Sequence, residues 1–345
     1  MVYSTLKLHI VFQNCIFSKR FGSMNSSVVI TLKLIPLIVI FTVSLIGNIL
    51  LARSASRKGY RKNGTNIVIL SQTIADLGTT CFVIPFAMIA VYKNEWILGE
   101  VLCRLNGFSN LFFTFATLYN LSFLAYDRFL AIVDKNHRTL SREQAIKGIT
   151  LVWSVALGLS FLWMELASEK IHMVFTRGFY ICYLRYSHPL GAFEMFGLIL
   201  LLVIGAAIPT STILFFFYRI LMVYRDHRLR TNPETLSNVA KFALEEYCRS
   251  AYTSLLMTGT TMLFVFPSCF TLFIEGIQVT KIPHSFETAS KWIMWCHCIV
   301  KPIIYFYRNQ NGRKIVARYF RSCSSKAESR PLGCFVKSVC DWKRL

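Results

Sequence analysis

The chain has 345 residues, of which 54% are hydrophobic and only 16% are charged. A soluble protein of this length would need an implausibly large core, so the composition favours a membrane protein. The formal net charge of +21 could indicate a nucleic-acid partner, but the basic residues lie between alternate apolar segments. That distribution is typical of cytosolic loops beside anionic lipid. The sequence therefore predicts a lipid bilayer as the surroundings and no nucleic-acid partner.

Apolar segments long enough to cross a bilayer recur along the chain. Five carry no charge and two carry a single charge, which predicts an all-α bundle of seven transmembrane helices. In chain order the predicted spans are residues 34–51, 66–92 with Asp76, 105–126, 148–164, 195–218, 250–274 and 292–307 with Lys301.

Basic residues follow the first, third, fifth and seventh spans, so the positive-inside rule places the amino terminus outside and the carboxyl terminus in the cytosol. We predict a plasma-membrane protein with four parts. These are an extracellular segment (1–27), the bundle (28–308), a short amphipathic eighth helix on the inner leaflet (309–323) and a cytoplasmic tail (324–345).

Two modification sites are predicted outside the spans. Asn25-Ser26-Ser27 is an N-glycosylation sequon just before the first span. Cys323 follows a basic stretch near the inner leaflet, where S-acylation and an ordinary free thiol are equally good interpretations.

The eleven cysteines do not form a disulfide framework, because most lie within spans or in the tail. Cys103 and Cys182 are the exceptions. Both fall on the predicted outer side, where a disulfide can persist, so we expect them to pair. Cys182 lies in a long outer loop, about residues 165–192, that can fold back over the mouth of the bundle.

An ordered series of short motifs lies on this seven-span frame. The motifs are Gly47-Asn48, Leu70, Ala75-Asp76-Leu77, Cys103, Asp127-Arg128-Phe129, Trp153, Cys182, Pro209, Pro267 and Pro302-Ile303-Ile304-Tyr305. The series resembles the rhodopsin-like family of G-protein-coupled receptors. Within the family, residues 96–108 are most similar to melatonin receptors and opsins. The resemblance implies an extracellular ligand and a heterotrimeric G protein as partners.

The resemblance implies that Asp127 holds Arg128 at rest and that activation frees the arginine, with Phe129 replacing a tyrosine. It also assigns activation roles to Pro267, which can kink the sixth span, and to Pro302 and Tyr305 in the seventh. Around Pro267 the chain departs from the family, which usually has tryptophan and phenylalanine where Val265 and Thr261 stand. We expect Phe264 and Phe266 to supply substitute packing. A receptor that does not couple, or a decoy, is the alternative.

Asn48, Asp76 and Lys301 are predicted to form a polar core inside the membrane. The family has asparagine in place of Lys301, close to the acid that Asp76 matches, where both help to hold sodium and water. A buried ammonium costs roughly 2.5 to 3.5 kcal/mol on insertion scales, so Lys301 should pair with the acid at its depth. Rotation of Lys301 toward a wet cytosolic cavity is the alternative.

Asn110, Lys291 and Trp295 are the predicted ligand-binding residues. Asn110 stands where amine receptors of the family carry aspartate, which disfavours a simple monoamine; it can also bond a neighbouring helix. Trp295 replaces the lysine that opsins use for a retinal Schiff base, so we expect no covalent retinal and no other cofactor. The expected ligand is a neutral small molecule or a short peptide, with an acidic group as one way to use Lys291; Lys291 is otherwise a rim lysine.

No HExxH, GxSxG or phosphate-loop motif indicates an enzyme. Cys296, His297 and Cys298 are adjacent in the seventh span and should diverge around a helix, which opposes a shared metal. A channel or transporter is the competing class, but no inverted repeat or line of intramembrane charges favours it.

Overall fold

The computed structural model describes residues 26–56, 64–133, 139–165, 171–186, 191–230, 238–276 and 282–308. The amino-terminal segment with Asn25, the predicted eighth helix and the tail with Cys323 lie outside the described residues. The assignments made for them stay predictions.

Helices account for most of the described residues, and one antiparallel hairpin joins the fourth and fifth spans. The elements are α1 (Ser26–Ala55), α2 (Gly64–Phe82), α3 (Ile84–Lys93), α4 (Gly99–Val133), α5 (Arg142–Glu165), β1 (Ile171–Thr176), β2 (Ile181–Tyr186), α6 (Ala192–Leu202), α7 (Ile208–Arg230), α8 (Asn238–Gly276), α9 (His284–Trp295) and α10 (His297–Arg308).

These helices make seven spans. The first, third, fourth and sixth are α1, α4, α5 and α8, whereas α2 with α3, α6 with α7, and α9 with α10 form the second, fifth and seventh. Five spans are long and apolar enough to cross a membrane on length and composition alone: the first, second, fourth, fifth and sixth. The third is 35 residues long but rich in polar side chains, and the seventh is divided in two.

Proline accounts for two of the three interrupted spans. Pro85 lacks the N–H that would continue the helical ladder, and α2 gives way to α3 at Val83, two residues before it. The fifth span contains a π-helical turn, Val203–Ala207, which ends two residues before Pro209. Such a turn leaves a carbonyl without its α-helical partner, and the Tyr119 hydroxyl donates to Ile204 O at 2.7 Å.

The third span lies at the centre of the bundle, packed against the second, fourth, fifth and sixth. The largest apolar cluster fills the half of the bundle beneath the hairpin, with Trp295 as the largest fully buried side chain. Large apolar side chains such as Leu151, Leu263 and Ile303 instead point outward. An apolar exterior around polar interior side chains is what a bilayer requires.

The hairpin closes one end of the bundle. Its strands pair from Ile171 with Tyr186 to Thr176 with Ile181, and Phe179 and Ile181 at its turn are almost fully buried. The prediction that this loop folds back over the mouth is therefore confirmed. We call this the disulfide end, because it carries the Cys103–Cys182 bond, and the opposite end the arginine end, because it carries Arg128.

Candidate functional site

A buried ion pair lies in the middle of the bundle, between the second and seventh spans. Lys301 Nζ lies 2.7 Å from Asp76 Oδ1, and both side chains are only 1% exposed. The pairing predicted from sequence is present in the structure. His297 Nε2 lies 3.4 Å from the same carboxylate oxygen, so the acid contacts two nitrogen-bearing side chains of one helix.

The local backbone of the seventh span is shaped by Pro302 and by the first span. Pro302 cannot donate to Cys298 O four residues earlier, and Asn48 Nδ2 donates to that carbonyl instead at 2.9 Å. Gly47 makes room for the proline: a Cβ atom there would come within 2.9 Å of Pro302 Cγ. Gly47 and Asn48 therefore fit the first span against the kinked seventh span.

The expectation that His297 and Cys298 diverge is wrong. The seventh span breaks at Cys296, and the side chains of both residues approach Asp76. Cys298 Sγ lies 3.3 Å from His297 Nε2 and 3.9 Å from Asp76 Oδ1. Both residues lie in the first turn of α10, directly after the break.

A metal ion could in principle use these three groups, since their donor atoms lie within 4.8 Å of one another. The ammonium of Lys301, however, already contacts the only carboxylate of the group. A second cation at that oxygen would meet strong repulsion in a medium of low dielectric. The arrangement is therefore better described as an ionic cluster, in which the Lys301 ammonium is the cation, than as a metal centre.

A second buried charge pair lies at the arginine end. Arg128 donates to the carboxylate of Asp127 and contacts the hydroxyl of Thr65 in the second span. Thr65 Oγ1 also donates to Asp127 Oδ2 at 2.7 Å, and Leu140 N donates to the other carboxylate oxygen at 3.3 Å. Asp127 thereby joins the third span to the second span and to the start of the fourth.

The remaining residues assigned to activation are spread along three spans. The ring centroid of Phe129 lies 5.1 Å from that of Phe216 in the fifth span. A tyrosine in place of Phe129, as in the family, would add a hydroxyl beside this contact. Pro267 lies inside the continuous helix α8, and Pro302 and Tyr305 are buried in α10.

The substitute packing expected around Pro267 is only partly present. Phe266 is 68% exposed on the outside of the bundle, so it does not replace the missing aromatic side chain, and Phe264 is half-buried. Val265 and Thr261 occupy the interior face. Trp295 of the seventh span, a fully buried ring, belongs to the same apolar cluster as Val265.

All three predicted ligand-binding residues are buried in the half of the bundle beneath the hairpin. Asn110 is in the third span, and Lys291 and Trp295 are one helical turn apart in α9. Asn110 Oδ1 and Trp295 Nε1 have no hydrogen-bond partner within the described part of the chain. Lys291 Nζ lies 5.0 Å from the ring centroid of Tyr183 and 5.5 Å from that of Phe179.

The hairpin that covers these residues is fastened on three sides. The Cys103–Cys182 disulfide holds it to the third span, as predicted, and Asn106 Oδ1 accepts a hydrogen bond from Cys182 N at 3.3 Å. Lys33 Nζ of the first span donates to Tyr180 Oη at 2.8 Å. On the seventh span, Thr288 Oγ1 donates to the carbonyl of the turn residue Gly178 at 2.5 Å.

The sequence profile described as "7 transmembrane receptor (rhodopsin family)" matches residues 47–305. The chain belongs to this family. It is a receptor and not an enzyme. The structure of squid rhodopsin superposes on it with a TM-score of 0.73 at 16% identity, covering 86% of this chain and 87% of that one. That match establishes the seven-helix fold.

Curated relatives of this receptor are distant. G-protein coupled receptor 135 of Rattus norvegicus is 27% identical over 291 residues, and the match spans 82% of this chain but only 62% of that protein. Probable G-protein coupled receptor 63 of Mus musculus is 28% identical over 310 residues, 84% of this chain and 71% of that protein. Trace amine-associated receptor 1 of Mus musculus is 23% identical over 311 residues, 86% of this chain and 91% of that protein. These relatives do not confirm the predicted closeness to melatonin receptors and opsins.

Several residues that shape the receptor's candidate sites were not singled out from sequence. Thr65 was not among the predicted site residues, although its hydroxyl contacts both charges at the arginine end. Phe179 and Tyr183 face Lys291 from a loop whose fold has no periodic signal. The aromatic residues close to Cys182 in the sequence, Phe179, Tyr180 and Tyr183, were the available clue.

Proposed function

We propose that this receptor lies in the plasma membrane with the disulfide end outside, binds an extracellular ligand beneath the hairpin and activates a heterotrimeric G protein at the arginine end. Support for the orientation comes from the disulfide, which persists in an oxidising compartment, and from the basic segments that follow alternate spans. A carboxyl-terminal epitope tag should stain only after the cells are permeabilised, and an amino-terminal tag should stain before. Both tags on one side would contradict the proposal.

The observation that carries the coupling proposal is the Asp127–Arg128–Thr65 cluster. It places a buried arginine at one end of the third span, while the Cys103 disulfide fixes the other end. A ligand that shifts the bundle between two arrangements can act on such a site only if it binds one arrangement better than the other. Release of Arg128 from its carboxylate would expose a cation to the G protein.

Arg128→Ala should abolish G-protein dissociation measured with fluorescent or luminescent subunit sensors, because the coupling cation is lost. The matched control is Arg104→Ala on the same helix. Arg104 is 64% exposed and pairs only with Glu100 among the described residues, so its loss should leave the signal unchanged. Equal surface expression of the three proteins must accompany the comparison.

A receptor that does not couple is the second candidate, and the sixth span favours it. Val265 and Thr261 leave that helix without the two large side chains that most of the family carries in this layer. If native receptor and Arg128→Ala give the same signal with every G-protein subtype, the decoy function replaces the coupling function.

The ligand site proposed is the region that Asn110, Lys291 and Trp295 share beneath the hairpin. One relative is named for trace amines and another, C-C chemokine receptor type 1 of Homo sapiens, for chemokines, so the relatives do not agree on a ligand. A neutral small molecule, a small molecule with an acidic group and a short peptide remain compatible with the lining. Trp295 has no amine for a Schiff base, and we propose no covalent retinal and no other cofactor.

A further inference from the structure

Lys291 is a cation held inside the bundle. Its side chain is 3% exposed, and two aromatic rings of the hairpin, Phe179 and Tyr183, lie within cation–π distance of Nζ. Ring faces attract an ammonium but offer no lone pair to its three N–H groups. The hairpin therefore covers one side of the ammonium without satisfying its hydrogen-bonding capacity.

No carboxylate among the described side chains forms an ion pair with Lys291. Glu287, one helical turn earlier in α9, is the obvious candidate, but its Oε2 atom lies 2.9 Å from His284 Nδ1 and packs against Gly178. Among the described residues, the contacts of the Lys291 ammonium are the two aromatic rings, and no hydrogen-bond acceptor or carboxylate lies against it. A buried ammonium is therefore left with an incomplete set of partners.

A second unpartnered donor lies next to the first. Trp295 follows Lys291 by four residues, so the two side chains share one face of α9. The Trp295 side chain is fully buried, and its indole N–H has no acceptor within the described residues. An ammonium and an indole N–H, both short of acceptors and one turn apart, fit the two oxygens of one carboxylate.

We propose that Lys291 binds the acidic group of the ligand and that the natural ligand is an amphipathic organic carboxylate. This inference rests on the proposed ligand site and narrows its ligand class. The carboxylate pairs with Lys291 and accepts from Trp295 Nε1, while the apolar body packs against the cluster that contains Val265 and Met294. The ligand carboxylate supplies the negative charge that no described side chain supplies to Lys291. A buried ammonium without a counterion in the ligand-free protein favours a ligand that carries one.

Stability of the ligand-free protein provides the first test. Lys291→Met keeps the stem length and removes an unsatisfied charge, so the purified variant should unfold on the order of 2 °C above the native receptor. Lys301→Met removes a paired charge and should unfold well below it. A fall in unfolding temperature for Lys291→Met would show that the protein itself satisfies this ammonium, and the proposal would fail.

Binding provides the second test, with matched probes that differ only in charge. The carboxylates are 3-phenylpropionate, indole-3-acetate and decanoate, each compared with its primary amide by thermal shift. At least one carboxylate should stabilise the native receptor more than its amide does, and that difference should vanish in Lys291→Met. In Lys291→Glu the preference should invert, with 2-phenylethylamine stabilising in place of 3-phenylpropionate. Equal shifts for acids and amides, or no shift with any acid, would refute the inference.

The thermal-shift readout needs no G protein, which separates this inference from the coupling proposal. Arg128→Ala should abolish the sensor signal and leave carboxylate binding intact. Carboxylate binding without any sensor response would support the ligand class and reject coupling. A sensor response to amides that does not depend on Lys291 would support coupling and reject the proposed ligand class.

Discussion

Lys301→Met should lower the yield of folded receptor sharply, because it leaves the carboxylate of Asp76 buried without its cation. Removal of one partner from a buried ion pair costs about 3–5 kcal/mol, since the remaining charge has lost its compensation. Asp76→Asn should be similarly damaging, because it strands the ammonium 2.7 Å away. The measurements are surface expression in cells and the unfolding temperature of the purified protein.

The double variant Lys301→Met/Asp76→Asn decides whether the two residues act as a pair. Once both charges are gone, no uncompensated charge remains, and replacing a buried pair with uncharged groups is often neutral or stabilising. We therefore expect expression and unfolding temperature to recover toward native values. Independent, additive losses would mean that the two side chains do not depend on each other.

A matched control separates this effect from the loss of any lysine. Lys147 pairs with Glu143 at 2.7 Å, but both side chains are at least 75% exposed. Exposed pairs contribute between zero and about 1 kcal/mol, so Lys147→Met should leave expression unchanged. His297 adds a second contact to Asp76, so His297→Ala should weaken the cluster less than Lys301→Met does.

Features set by composition and by simple electrostatics could be predicted from the sequence. The spans follow from the length of apolar segments, and the Cys103–Cys182 bond follows from the compartment of the two thiols. The Asp76–Lys301 pair was predictable because few ionisable groups lie inside spans, and a buried charge must find a partner. Each of these inferences requires only the side of the membrane, or the depth within it, at which a residue lies.

Features that depend on local backbone geometry could not be predicted. His297 and Cys298 both approach Asp76 directly after the break at Cys296, and no proline or glycine stands at that position to predict the break. The outward orientation of Phe266 depends on how α8 is rotated about its axis. The buried face of this span carries Thr258, Thr261 and Thr271, so its rotation follows the spacing of hydroxyl side chains and not that of the apolar ones.

Asp127→Asn should raise the basal G-protein signal. The substitution keeps the shape of the side chain but removes the charge that holds Arg128. A hydrogen bond to a charged group contributes about 1.5–3 kcal/mol, which corresponds to a roughly tenfold or larger shift between the two arrangements of the bundle. The measurement is ligand-free G-protein dissociation, normalised to the number of receptors at the cell surface.

Thr65→Val tests the same contact from the second span. Valine matches threonine in shape but lacks the hydroxyl that contacts both Asp127 and Arg128, so the basal signal should rise less than in Asp127→Asn. Ser141→Ala, at the exposed start of the fourth span, is the control for loss of a hydroxyl near this end and should not change the signal.

The combination Asp127→Asn/Arg128→Ala shows whether the extra signal comes from the freed arginine. If it does, the double variant should fall to the level of Arg128→Ala alone, because no cation remains to be released. A basal signal that persists in the double variant would place coupling elsewhere. A native-level signal in Asp127→Asn at normal expression would mean that the carboxylate does not restrain Arg128, and the Asp127–Arg128–Thr65 cluster would then be a structural contact between the second and third spans.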